Sequence, residues 1–292
     1  MSEGLIYKIL AGTYFISLNG ERLQAKAAGR FRKEGLEPKV GDRVLLRPPQ
    51  GGFWLIERIK ERKNELIRPP VANIDRLVIV FSPVYPAPDL SLADLLISYC
   101  RNFDIKPVIC INKTDMDKQG AGALREQYAS SGIDAVCVSA VHDWGMDELR
   151  SLLGRGISCF AGQSAVGKSS LLNRLIEGAE LKTGALCRKT DRGRHTTRQC
   201  ELMEYAPECF FIDTPGFSLL EQLLMPPEDF KALYYEFDEY APFCRFRGCS
   251  HVNEPGCAVK EAVARGELSS ERYERYKSLY KITEENWRKR YD

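Results

Sequence analysis

The sequence predicts an α/β domain of circularly permuted strand order, preceded by a small β-barrel and followed by a helical metal-binding module. Three observations carry this. Residues 162–169 read GQSAVGKS, the G-x-x-x-x-G-K-[ST] loop that wraps phosphates. Residues 112–115 read NKTD, a guanine-reading element, and residues 213–216 read DTPG, the Asp-x-x-Gly that supports Mg²⁺ and senses a γ-phosphate. From residue 74 onward, apolar strands alternate with helices. In an ordinary GTPase the phosphate loop comes first, DxxG second and NKxD last, whereas here NKTD comes first. Binding depends on where side chains end in space, and a sheet can be cut at one loop and rejoined at its old termini. The fold class is therefore α/β, a circularly permuted P-loop GTPase domain flanked by an N-terminal OB-fold barrel and a C-terminal α-helical zinc-binding domain.

The chain has 292 residues, 44% of them hydrophobic, enough for two or three compact parts. No run of 18 apolar residues occurs, and MSEGLIYKIL lacks a basic-then-apolar leader pattern, so a cytoplasmic protein is expected. Seven of the ten cysteines (Cys100, Cys110, Cys137, Cys159, Cys187, Cys200, Cys209) are scattered and read as core residues in a reducing compartment.

The first part is expected over residues 1–68. Runs such as IYKILAGTYFISL, DRVLLR and GFWLIERI are broken by NG, GD and PQGG, the spacing of about five barrel strands. This part carries 14 Lys and Arg against 8 Asp and Glu although the whole chain is only +2, which points to an anionic partner. An OB-fold binds oligonucleotides on one face. Arg30, Arg32, Lys33, Arg43, Arg47 and Lys60 are candidate phosphate contacts, and Phe31 and Trp54 candidate stacking residues that compete with a core role. Residues 62–73, RKNELIRPPVAN, read as a linker ending at a Pro pair.

The second part is expected over 69–218. Strand IDRLVIVFS (74–82) opens it, followed by helix 91–103, strand PVICINK, helix 120–131, strand DAVCVSA, helix 145–153, strand GISCFAG and helix 168–176. Continuous apolar strands between helices imply a parallel sheet covered on both faces. A basic stretch, LKTGALCRKTDRGRHTTR, follows, then strands near 199–205 and 208–213. The third part, 219–292, reads as a helix over PPEDFKALYYEFDEY, a Cys/His knot and a charged helix from about 269.

The chemistry follows from the motifs. Gly162 and Gly167 let the loop turn its amides inward, with Gln163, Ser164, Ala165 and Val166 between them. Lys168 reaches the β/γ oxygens, Ser169 ligates Mg²⁺, and Ser170 continues a helix whose N-terminus faces the phosphates. Asp115 accepts from the two guanine donors, N1–H and the 2-amino group, which adenine lacks. Asn112 bridges to the base or a loop, Lys113 packs its stem over the ring, and Thr114 completes the turn. Ser139 and Ala140 end the next strand and offer a backbone N–H to the guanine carbonyl. Asp213 holds Mg²⁺ through water, and the Gly216 amide contacts the γ-phosphate. Thr196 and Thr197 both stand where an effector threonine closes over Mg²⁺, with Thr197 preferred as the ligand.

Phe217 occupies the position after DxxG where many GTPases carry a water-orienting Gln, so slow intrinsic hydrolysis is expected. His195, beside Thr196, is the internal candidate to replace it. Cys244, Cys249, His251 and Cys257 form C-x₄-C-x-H-x₅-C, a donor set that closes a structural tetrahedral Zn²⁺ site. The segment after DxxG leads through FSLLEQLL into that module, so ordering of the loop by the γ-phosphate is expected to reposition it.

The order NKTD, SA, GQSAVGKSS, GRHTTR, DTPGF, with the basic barrel, the RPPVANID junction and the Cys/His knot, resembles the RsgA (YjeQ, YloQ) family of circularly permuted ribosome-assembly GTPases over essentially the whole chain. Arg198 departs from the pattern, since a third Thr is frequent there. The resemblance implies binding to the small ribosomal subunit and its rRNA, GTP hydrolysis to GDP stimulated by that subunit, and a part in its late maturation. A monomer without membrane contacts is expected. Two other readings stand: an RNA-binding assembly module whose nucleotide site is structural or regulatory, and a P-loop kinase or metabolic NTPase, which NKTD opposes.

Overall fold

A computed structural model describes residues 2–49, 52–66, 70–183, 201–212 and 224–291. Strands β1 (Ser2–Leu10), β2 (Thr13–Leu18), β3 (Glu21–Ala27), β4 (Arg43–Arg47) and β5 (Trp54–Ile59) close a barrel in the order β1-β2-β3-β5-β4. The strand alternation decides which side chains enter it. Val44 and Leu46 point inward between outward Arg43 and Arg47, and join Ile6, Ile16, Ala25 and Ile56 in the core. A short helix, α1 (Gly29–Glu34), follows β3 and contributes Phe31 to this core, where it is only 4% exposed.

The described residues of the segment expected to be a linker form secondary structure. Strands β6 (Glu65–Leu66) and β7 (Val71–Ala72) pair antiparallel, and Leu66, Val71 and Ala72 are buried. Asn64 explains part of this. Its side chain donates to Ile74 O and accepts from Ile74 N, each at 2.9 Å, tying both arms of the hairpin. Arg62 also clamps the fully buried carboxylate of Asp42 through two bonds of 2.8 Å.

The α/β elements are β8 (Arg76–Phe81), α2 (Leu90–Asn102), β9 (Lys106–Ile111), α3 (Lys118–Glu126), β10 (Asp134–Cys137), α4 (Met146–Leu153), β11 (Gly156–Ala161), α5 (Lys168–Thr183), β12 (Leu202–Ala206) and β13 (Cys209–Ile212). The hydrogen-bonded strand order is β10-β9-β8-β11-β13-β12. Pairs β9–β10 and β11–β13 are parallel, as expected, but β12 runs antiparallel to β13, so the sheet is mixed. The reason is the short Pro207–Glu208 turn, which permits a hairpin and leaves no length for a crossover.

The chain divides into two compact units: Met1–Leu77 with Leu153–Phe160 and Leu172–Ser218, and Val78–Leu152 with Ala161–Leu171 and Leu219–Asp292. The second unit therefore holds NKTD, the phosphate loop and the C-terminal helices α6 (Pro227–Lys231), α7 (Ala258–Ala264) and α8 (Ser270–Arg288). The single helix expected over 226–240 stops at Lys231 and gives way to a 3-10 turn at Tyr235–Phe237. Phe230, Tyr234 and Phe237 lie 6.3, 4.7 and 4.9 Å from the ring of buried Tyr276.

A buried charge network joins this module to α2. Asp94 is fully buried and accepts from Arg272 and Arg275 of α8; Arg272 also donates to Glu236 at 2.5 Å, and Arg101 of α2 lies 3.3 Å from Glu236. Among the described residues, the attachment is made by α2, Glu236 and α8.

Candidate functional site

Gly162 leaves β11 with φ of +135°, and a Cβ there would fall 2.0 Å from Val80 O. Only glycine satisfies both constraints, so the first motif position is fixed by backbone packing. Val166 is fully buried and anchors the loop from below, while Ser164, Ala165, Ser169 and Ser170 are exposed. Lys168 opens α5 and donates to Gly162 O at 2.7 Å and Gln163 O at 2.6 Å. The ammonium is thus poised at the mouth of the loop, next to a helix N-terminus that favours anions. Gln163 accepts from the Asp89 amide at 3.0 Å, fixing the segment that leads into α2.

Asn112 ties three loops together. It is 2% exposed and follows β9; its Nδ2 donates to Val166 O at 2.9 Å and its Oδ1 accepts from Ala140 N at 3.2 Å. Of the two sequence readings of Asn112, the geometry favours the loop bridge. Lys113, at φ +65°, donates to Tyr85 O at 2.7 Å and Ala165 O at 2.8 Å, a second strap onto the phosphate loop. Thr114 is buried and donates to Val138 O at 2.9 Å. The Asp115 side chain is 19% exposed, with its carboxylate 3.9 Å from His142 Nε2. The amides expected to serve the guanine carbonyl are engaged: Ser139 N donates to Trp144 O at 3.0 Å, and Ala140 N to Asn112.

β13 ends at Ile212, paired in parallel with Cys159. His195, Thr196, Thr197, Asp213, Gly216 and Phe217 lie outside the described residues.

In the C-terminal module the donor atoms of Cys244, Cys249, His251 and Cys257 all lie within 4.8 Å of one another. Cys244 Sγ is 3.6 Å from His251 Nδ1 and 3.9 Å from Cys257 Sγ, and His251 Nδ1 is 3.4 Å from Cys257 Sγ. Tetrahedral ligands about 2.3 Å from a metal stand roughly 3.8 Å apart, so this set fits one small ion. Burial, aided by the Lys231 ammonium, lowers His251 to about 4, which keeps the imidazole a neutral ligand. Burial pushes the Cys249 thiol up to about 12, a penalty a bound cation reverses.

The knot is held from outside. Glu254 accepts from Ser250 N (2.7 Å), Ser250 Oγ (3.0 Å), Asn253 N (3.1 Å) and Val252 N (3.2 Å). Its carboxyl, despite the opposing effect of burial, falls to about 2 through these donors, the Ser250 amide foremost. Tyr273 of α8 donates to His251 O at 2.7 Å.

The barrel separates the two stacking candidates. Phe31 is core, and Trp54 is half-buried against the same cluster. Phe53 was missed: it is 47% exposed, with the Lys26 ammonium 5.3 Å from its ring centre. Its signal was its place beside Trp54, at a turn rather than on the alternating strand. Several candidate phosphate contacts have acidic partners of their own, Arg43 and Lys60 on Glu3 and Arg47 on Glu57. Arg30 donates to Glu57 O.

Comparison with known proteins agrees with this geometry. Residues 59–223 match the family model described as RsgA GTPase, and residues 3–52 the RsgA N-terminal domain. A small ribosomal subunit biogenesis GTPase RsgA of Caldanaerobacter subterraneus is 42% identical over 292 residues, covering 99% of this chain and 98% of that protein. One from Ruminiclostridium cellulolyticum is 39% identical, covering 96% and 93%. The crystal structure of YjeQ from Thermotoga maritima superposes with a TM-score of 0.81 at 33% identity, covering 97% of this chain and 98% of that one. That of YloQ, a circularly permuted GTPase, gives 0.80 at 34%, covering 98% and 96%.

Proposed function

This chain belongs to the RsgA GTPase family, and from that premise we propose that it hydrolyses GTP to GDP and phosphate, slowly alone and faster on the small ribosomal subunit, whose late maturation it assists. The observation that carries the reading is the bridge made by Asn112, which holds the NKTD turn, the Ser139–Ala140 turn and the phosphate loop as one guanine-nucleotide site. Lys168 exchanges two carbonyl partners for β/γ-phosphate oxygens when nucleotide enters, and Asp115 reads the base. Mg²⁺ is assigned to Ser169, Asp213 and Thr197, and water orientation to His195. Zn²⁺ is assigned to Cys244, Cys249, His251 and Cys257, where it closes a structural site and leaves no open position for chemistry.

We assign residues 1–68 to rRNA contact, 69–218 to the nucleotide and 219–292 to the zinc module, in a cytoplasmic monomer. Among the described residues no helix is long and apolar enough to cross a membrane. The deciding experiment is GTP and ATP turnover with and without purified small subunits. Stimulated, GTP-selective turnover supports the reading. Tight GTP binding with no turnover under either condition would instead favour an RNA-binding module with a regulatory nucleotide site.

A further inference from the structure

The loop after β10 is more elaborate than a turn needs to be. Ser139 and Trp144 close it as an isolated bridge, with Ser139 N donating to Trp144 O at 3.0 Å. Gly145, at φ +68°, ends it where a Cβ would lie 2.2 Å from Cys137 O. The closure brings His142 and Trp144 together, with ring centres 4.9 Å apart and planes at 25°. Trp144 is 55% exposed, so burial does not account for it. The His142 amide donates to Ser139 Oγ at 3.3 Å, which fixes the backbone beneath the imidazole. That imidazole faces Asp115, with Nε2 3.9 Å from Oδ2. Asp115 receives no hydrogen bond from any described residue.

A carboxylate that must present both oxygens to N1–H and the 2-amino group needs a fixed terminal torsion. That torsion is broad for Asp unless something holds it. Nε2 stands about 1 Å beyond hydrogen-bond distance, and a small ring tilt closes the gap. Nearby charge does not compete for the ring: Asp143 faces Arg150 at 3.9 Å, and Arg150 donates to Asp147 at 2.7 Å.

We propose that His142, held by its stack on Trp144, is a positioning residue for Asp115 that sets how well the site recognises the 2-amino group of guanine. The proposal rests on the guanine-nucleotide reading of the site.

The test compares dissociation constants for GDP and IDP, which differ only in the 2-amino group, on the full-length chain by titration calorimetry. Wild type prefers GDP. His142→Ala and Trp144→Ala reduce the GDP/IDP preference about tenfold, while IDP affinity stays within about twofold; His142→Gln and Trp144→Phe retain most of the preference. An unchanged ratio in His142→Ala overturns the proposal. So does an equal loss for both nucleotides, which marks a structural role. A wild-type chain without preference for GDP over ADP would instead overturn the guanine-site reading beneath it.

Discussion

Asn112 and Gly167 touch so closely that no side chain fits between them: a Cβ on Gly167 would fall 2.3 Å from Asn112 Nδ2. Two motifs 55 positions apart in the chain thus constrain each other, the glycine of one making room for the amide of the other. Gly167→Ala adds this clash to a backbone held at φ +96°. Asn112→Ala orphans the Val166 carbonyl and the Ala140 amide, a loss of about 1–3 kcal/mol. Each variant is expected to weaken GDP binding at least tenfold while the thermal midpoint falls by only a few degrees. GDP affinity by calorimetry checks this, and near-wild-type affinity in both would remove the bridge from the argument.

The buried Asp94–Arg272 pair sets a second expectation. Removing one partner leaves the other charged and buried, which costs about 3–5 kcal/mol. Asp94→Ala should therefore lower the unfolding free energy strongly, and the double variant Asp94→Leu with Arg272→Met should recover only part of it, because Arg275 and buried Glu236 each lose a partner. Chemical denaturation of the three proteins separates a real ion-pair cost from a packing cost. Because the attachment uses α2, nucleotide exchange is expected to leave the distance between α2 and α8 unchanged, unlike the sequence-based expectation of a repositioned module. A pair of spin labels on the two helices reads it.

The legible parts of this molecule were those where chemistry dictates residue type. Gly162 and the four knot residues stood out in the sequence because a strained turn and a closed donor set admit few residue types, and the structure gives Gly162 a φ of +135° and gathers the knot's donor atoms within 4.8 Å. The barrel strands were readable from alternation such as Val44 and Leu46 between Arg43 and Arg47. The misses share a cause. The hairpin at 65–72 hid behind a Pro pair because its stability comes from Asn64 and from burial that local composition does not record. The break after Lys231 lies where Phe230, Tyr234 and Phe237 pack on Tyr276, a partner some 45 positions later that local composition does not record. The choice between core and stacking for Phe31 stayed open in the sequence because nothing local announces that α1 folds it inward. His142 escaped because its neighbour Asp115 is distant in sequence.

For the metal knot, Cys249→Ala should abolish stoichiometric zinc measured by mass spectrometry and loosen the C-terminal module, with GDP affinity retained. Glu254→Gln should leave zinc in place but destabilise the module by about 1–3 kcal/mol, since charge-assisted bonds become neutral ones. The sign with pH follows from a folded pKa of about 2, below the ordinary carboxylate range. The stabilisation is present above that range and fades as pH falls through it towards 2. The gap between wild type and variant in urea melts should accordingly be widest near neutrality.

Electrostatic RNA contact by the barrel is best tested by point changes. Deleting the barrel would cut into its own compact unit, where Ala72 N donates to Val40 O and Asn73 Nδ2 to Gly41 O, each at 2.9 Å. Lys26→Ala should lower the salt dependence of subunit binding by about one phosphate contact, and Phe53→Ala should weaken binding by about 1–3 kcal/mol if a base stacks there. Sedimentation of the variants with small subunits at several salt concentrations measures both effects; unchanged binding in both would move the RNA face elsewhere on the barrel.

In the proposed hydrolysis His195 takes the part of the Gln whose usual position holds Phe217. Phe217 has no group to orient water, so turnover of the isolated protein should fall well below the common enzyme range of about 1–1000 s⁻¹. If His195 supplies the missing group on the ribosomal subunit, His195→Ala should lose subunit-stimulated turnover and keep both GTP and subunit binding. Lys168→Ala should behave differently, because its ammonium sits within the phosphate loop on Gly162 O and Gln163 O and its loss should weaken nucleotide binding itself. The two variants are thus distinguished by nucleotide affinity rather than by rate. Stimulation at the wild-type level in His195→Ala would transfer the role to Arg192, Arg194 or Arg198 of the same stretch, or to the RNA.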